Sequence, residues 1–102
     1  MGLPRHIHDP NAVLDYPIKL SDFTVKGDPA TAVTAASVPV KDTHTGVATI
    51  ENVWPLNEDG IAAARVTGAN MVVGESYILT FHFELESGQE DDRSEILVCK
   101  ER

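Results

Sequence analysis

Between Tyr77 and Leu85 every second residue is large and apolar: Tyr77, Leu79, Phe81, Phe83 and Leu85. The residues between and after them are mostly polar, with Thr80, His82, Glu84 and Glu86. A period of two sends alternate side chains to opposite faces of an extended chain, so this stretch reads as a strand with one buried face. At about 3.3 Å per residue it is roughly 30 Å long, the height of a small sandwich. No window of the chain sustains an apolar helical rhythm without a Pro or Gly interrupting it.

The rest of the sequence repeats the extended pattern, with turn signals roughly every ten residues. The first strand is expected from Ala12 to Phe23, with Tyr16, Ile18 and Leu20 on one face. Pro17 lies inside it and has no N–H for a ladder, which assigns this strand to a sheet edge or a bend. Lys26 to Pro29 (KGDP) is a turn, and Thr31 to Val40 is the next strand, with Pro39 at its exit or at another edge. Val47 to Trp54 follows, expected to hold Ala48, Ile50 and Trp54 on one side, then the turn PLNEDG (Pro55 to Gly60) and a short strand Ile61 to Thr67. The last strand is expected from Ser94 to Glu101, inside a sheet because both of its faces carry apolar residues. QEDDR, Gln89 to Arg93, is read as the polar tip of the preceding hairpin, with Gly88 opening the reversal and Arg93 anchoring it. Six or seven short strands in a chain of 102 residues give an all-β fold, with the size and rhythm of an immunoglobulin-like antiparallel β-sandwich. Residues 1–11 form a flexible N-terminal arm on this reading, and 12–102 a single sandwich domain. Gly74-Glu75-Ser76-Tyr77 places a Tyr just after a tight glycine turn. In such sandwiches a Tyr at this corner can bond back to the upstream backbone, although the same Tyr77 also reads as the first inward residue of its strand.

Sixteen acidic against eight basic residues give a formal charge of −8. Phosphate backbones and anionic membranes repel such a chain, so neither nucleic acid nor membrane is expected as a partner. The opening decapeptide MGLPRHIHDP lacks the apolar stretch of a signal peptide. Cys99 is the only cysteine, so no disulfide can close within the chain.

Candidate chemistry is sparse. His6, His8 and Asp9 make an H-x-H-D cluster whose two imidazoles share a strand face and could grip one metal ion. It has no third His or Cys nearby in sequence and is a weak candidate. Glu90, Asp91 and Asp92 offer carboxylates to a hard cation, but not at the spacing of a calcium loop. There is no nucleophile elbow, phosphate loop or dinucleotide glycine pattern. No catalytic residue, cofactor or enzymatic activity is expected.

Two separated pieces carry a resemblance. DPNAVLDYPIKLSDF (Asp9 to Phe23), followed by GDPATA from Gly27, resembles the opening D-P-x-A-V-L-D-Y of small proteins from tailed-phage structural gene clusters. VGESYILTFHFELESGQEDDRSEILVCKER, from Val73 onward, is similar to their closing pattern: Gly-x-x-Tyr, an alternating strand, Gly-x-x-D-x-R-S and a basic-tipped strand. Leu20 and Phe23 stand where that family carries tryptophans. The resemblance implies a non-enzymatic phage or prophage virion structural or assembly protein with an immunoglobulin-like sandwich. Its implied partners are capsid, tail or fibre proteins, and further copies of itself. Its implied location is the virion, and the bacterial host cytoplasm before assembly. The residues it marks are fold positions: the turn glycines Gly74 and Gly88, the corner Tyr77 and the hairpin Arg93. The alternative is a ligand- or carbohydrate-binding β-sandwich of a bacterial surface, for which Trp54 is the only tryptophan available to stack on a sugar.

Overall fold

The computed structural model describes residues 3–20, 27–54 and 60–101. These contain seven strands and no helix: β1 (Arg5–His8), β2 (Val13–Lys19), β3 (Ala30–Pro39), β4 (Thr49–Trp54), β5 (Ile61–Thr67), β6 (Ser76–Leu85) and β7 (Glu90–Cys99). Residues 21–23 of the expected first strand, Lys26 and the turn residues 55–59 lie outside the described residues.

The strands form two sheets, β1-β7-β6-β3 and β2-β5-β4. The long alternating strand is the centre of the larger sheet. Tyr77, Leu79, Phe81 and Phe83 of β6 are fully buried, while Ile78, Thr80 and His82 between them are not. The facing sheet answers these bulky residues with small ones. Ala62, Ala64 and Val66 of β5 are its buried parity, joined by Tyr16 and Ile18 of β2. Large side chains on one sheet against small ones on the other let the layers close without voids.

Proline sorts the strands as expected. Pro17 lies in β2, an edge strand paired only with β5, and Pro39 ends β3, the opposite edge of the larger sheet. The final strand is interior, between β1 and β6, with Leu97 and Cys99 facing the core.

Three expectations need correction. First, Trp54 does not share a face with Ile50. The β4–β5 register shifts between Ile50 and Asn52, so Val53 rather than Trp54 takes the core-facing parity. A one-residue bulge exchanges the two faces of everything beyond it. Second, β7 begins at Glu90, four residues before the expected start. Glu90, Asp91, Asp92 and Arg93 therefore pair with Glu84, Phe83, His82 and Phe81. The reversal itself is Glu86 to Gln89, with Gly88 at φ 93° and the Leu85 N–H donating to the Gln89 carbonyl at 2.7 Å. Third, not every pairing is antiparallel, since β1 runs parallel to β7.

Residues 5–8, read from sequence as part of an arm, thus occupy a sheet lane. Asp9-Pro10-Asn11 then carries the chain to the other sheet. The Asp9 side chain accepts from the Asn11 N–H at 2.8 Å, and its carbonyl accepts from the Ala12 N–H at 2.9 Å. Gly68 packs so close to this turn that a Cβ there would sit 2.6 Å from the Asp9 carbonyl.

The loop before β4 is held by the β6 corner. The Tyr77 hydroxyl accepts from the Val72 N–H at 2.9 Å and donates to Glu75 Oε1 at 3.0 Å. Glu75 in turn accepts from the Thr45 and Gly46 N–H groups at 3.0 and 2.8 Å. Gly46 has no room for a side chain, because a Cβ would lie 2.2 Å from the Tyr77 hydroxyl and 2.8 Å from the Val72 nitrogen. Tyr77→Phe removes both hydroxyl bonds and is expected to cost about 1–3 kcal/mol. Thermal melts should show it as a loss of roughly 4–8 °C per kcal/mol. Gly46→Ala should cost at least as much, and an unchanged melting temperature in both variants would refute this account of the corner.

Candidate functional site

Three groups of polar side chains are candidates, and each begins from strand parity. In β1 residues 6 and 8 share the inner face. His8 is fully buried, with Nε2 3.0 Å from the Ala12 carbonyl and Nδ1 2.6 Å from the Tyr16 hydroxyl. A carbonyl only accepts, so Nε2 carries the proton, and in the neutral ring Nδ1 accepts from Tyr16. Both nitrogens of His8 are thereby engaged inside the protein. His6 faces Glu95 instead, at 3.5 Å, and the Asp9 carboxylate takes the Asn11 N–H. The three residues of the H-x-H-D cluster are turned to three different tasks, and the described residues contain no group of three or more ligands able to hold a metal ion.

The second group lies on the outer face of the larger sheet. His82 and Asp92 are directly opposite across β6 and β7, with Glu90 on the diagonal. The imidazole reaches both carboxylates, Nδ1 to Asp92 at 2.6 Å and Nε2 to Glu90 at 2.7 Å. Hydrogen bonds to Asp92 and then to Glu90 favour the charged ring and raise its pKa above the ordinary histidine value. Toward the other end of this face the polar residues give way to an apolar band. Register places Val38, Ile78, Ile96 and Arg5 in one row, and Val98 and Ile7 beside it. Val38 is 55% exposed and Ile7 43%, with Ile78, Ile96 and Val98 half-buried between them. Four strands therefore present a row of β-branched side chains to solvent.

The third group is the margin of β7. Asp91 and Arg93 have inner-face parity but sit at the edge of the sheet, 3.4 Å apart. Asp91 Oδ1 accepts from the Asp92 N–H at 2.8 Å, and Arg93 Nη1 donates to the Asp92 carbonyl at 3.2 Å. Glu90 to Arg93 thus lie in a strand margin, with the Asp91 and Arg93 side chains bonded to the local backbone, and only Gln89 of QEDDR belongs to the reversal. Beside it a cleft of about 350 Å³ is lined by Leu3, Pro4, Ile18, Asp92, Arg93, Ser94 and Glu95. Burial pushes the Glu95 carboxyl up, and nearby His6 offsets this only partly. The Glu95–His6 separation is within ion-pair reach, but its geometry makes no hydrogen bond, so Glu95 Oε1 and His6 Nε2 are both buried without one.

Trp54 lies on the outer side of β4 with the Arg65 guanidinium 4.8 Å from its ring centroid. That cation takes up a ring face that a sugar would need. Glu75 was not singled out by sequence, yet its carboxylate ties the 45–46 loop to the corner. Burial would raise its pKa, but bonds from the Thr45 and Gly46 N–H groups and from Tyr77 outweigh this and lower it. The signal was present in the G-E-x-Y spacing, which puts an acceptor two residues before the corner Tyr.

A family model for the podophage GP4 fiber-tail adaptor protein gp77 matches residues 8–98, from the buried His8 to Val98 in β7. The chain belongs to that family. It is a phage virion structural protein of the tail and fibre apparatus. Neither the curated proteins nor the solved structures give a significant match.

The His82 clamp gives a stability signature with a definite sign. A histidine whose folded pKa is raised contributes stability that is complete below its unfolded value near 6.5 and is lost as pH rises through the folded pKa. The stability difference between the wild type and His82→Gln, from urea unfolding, should therefore be largest on the acidic side of neutrality and shrink above it. A difference that does not change with pH, or a His82 ring titrating at or below the ordinary value by NMR, would contradict the clamp.

Proposed function

We propose that this chain is a non-enzymatic connector between tail and fibre proteins of a phage particle, acting through protein–protein contacts. The observation that carries the proposal is the family match over 8–98, which spans both sheets. The arrangement of the chain supports it. Polar clusters of the described residues are spent on holding loops, turns and margins, while the outer face of β1-β7-β6-β3 leaves an apolar row uncovered. Surface rows of this kind are what one protein offers another. On a symmetric particle the same modest contact repeats, and repetition multiplies its strength without new chemistry. Charge fits this reading too: at −8 the chain is repelled by DNA passing nearby and favours basic protein surfaces.

The strand order, with β1 included, and the Tyr77 corner support an immunoglobulin-like reading of the sandwich as a single domain that takes in β1 from Arg5, ahead of the expected start at residue 12. Before assembly the chain would reside in the host cytoplasm, where a protein with one buried, unpaired cysteine meets no redox difficulty.

Mass spectrometry of purified particles should find the chain at a fixed ratio to tail proteins. Val38→Glu, on an exposed position, should leave the melting temperature nearly unchanged and reduce incorporation into particles. Particles that lack the chain altogether would overturn the proposal.

A further inference from the structure

We propose that the margin of β7 over Glu90–Ser94, which no strand of the described residues pairs on the β1 side, accepts an extended segment of a partner protein as an added strand, with apolar and basic residues alternating along that segment. This rests on the connector reading and names the chemistry of one of its contacts. The backbone of β7 shows which groups are on offer. Cys99 N–H donates toward β6, to the Glu75 carbonyl, whereas Ile96 and Lys100 N–H donate toward β1, to the Pro4 and His8 carbonyls. Alternation along a strand then turns the N–H and C=O groups of Ser94 and Asp92 to the β1 side as well. The β1 ladder starts only at Arg5 opposite Ile96. Pro4, next in that lane, has no N–H to give to the Ser94 carbonyl. A strand margin of this kind is a template for pairing unless something blocks it.

What blocks it is removable. At Asp92 the N–H is held by the Asp91 carboxylate and the carbonyl by the Arg93 guanidinium, both through exposed side chains. Exposed charged contacts contribute little stability and exchange readily. An incoming strand offers the same two bonds from its own backbone, a carbonyl for the Asp92 N–H and an N–H for the Asp92 carbonyl. The displaced Asp91 and Arg93 side chains can turn to the strand's own residues.

Alternation in the added strand sets its composition. Side chains on the inner side enter the cleft beside β7, where Leu3, Pro4 and Ile18 supply an apolar wall and Glu95 a carboxylate oxygen that makes no hydrogen bond. Side chains on the outer side lie along Glu90 and Asp92. Apolar groups with Lys or Arg between them complement this surface. A second copy of the chain does not, because the same margin facing itself would set Glu90, Asp91 and Asp92 against their own like charges.

The test uses the whole protein, ¹⁵N-labelled, and a capped peptide of alternating Val and Lys. At saturation the Asp92 and Ser94 amides should shift and exchange with solvent at least about tenfold more slowly. Replacing the Lys residues by Glu should weaken binding by about tenfold or more, and added salt should narrow that gap. Ser94→Pro should abolish binding. Because that variant could perturb folding, a peptide N-methylated at alternate residues, which cannot complete the ladder, should fail to bind the unaltered protein. Amides of Asp92 and Ser94 that do not respond, or equal binding of the N-methylated peptide, would overturn the inference. So would protection of those amides by self-association in the absence of peptide, which would assign the margin to a second copy. If particles contain the chain while this margin stays unresponsive, strand addition fails and the connector reading stands.

Discussion

The structure depends on one strand that is buried on one side along almost its whole length. Tyr77, Leu79, Phe81 and Phe83 of β6 leave no surface to solvent, and β3 and β7 are registered on either side of that strand. Burying four large side chains in a row supplies on the order of 1.5–3 kcal/mol each, which is large beside the net stability of a domain this size. The other sheet is shaped by the same demand. Its central strand, β5, faces the core with two alanines and a valine because bulk is already present opposite. The corner at Tyr77 extends the constraint to the loops, since its hydroxyl fixes the 72–75 turn and, through Glu75, the 45–46 loop.

The margin of the larger sheet is handled differently from its centre. Among the described residues, β7 is paired by its short parallel neighbour only over Ile96 to Cys99. Here the acidic run places one carboxylate and one guanidinium on the backbone of a single residue, Asp92, and a histidine clamp on the outer face behind it. Guarding an edge with charge keeps it from pairing at random, while a guard made of side chains alone can be displaced by a matching strand. On the proposed strand addition, the residues that guard the margin in the free chain are the ones an incoming strand displaces.

Much of this fold was legible in the sequence because alternation reports burial directly. Ile61–Thr67 was placed to the residue, and Pro17 narrowed β2 to an edge or a bend, of which the edge is observed, since both rest on local physics. The start of β7 was not legible: Glu90 to Arg93 are charged on both faces, and a strand end at a sheet margin has no buried parity for periodicity to detect. Trp54 was misplaced because a bulge has no signature in so short a strand. The candidate site was harder still. The His8 contacts with Tyr16 and Ala12, and the approach of His6 to Glu95, depend on which lane β1 occupies, and that is set by the crossing at Asp9-Pro10-Asn11 rather than by composition. A phage structural family was legible only through resemblance at the two ends of the chain, with capsid, tail and fibre left open, and the match over 8–98 narrows it to the tail and fibre.

The proposed contacts fall on two distinct places of the sandwich, the exposed apolar row on one face and the guarded strand margin. A cryo-electron microscopy reconstruction of the intact particle tests this most directly. The account predicts density for this fold between tail and fibre, with one neighbour on the Val38–Ile7 face and an extended segment beside Asp92 and Ser94. Density for the fold in which both surfaces face open solvent would contradict it.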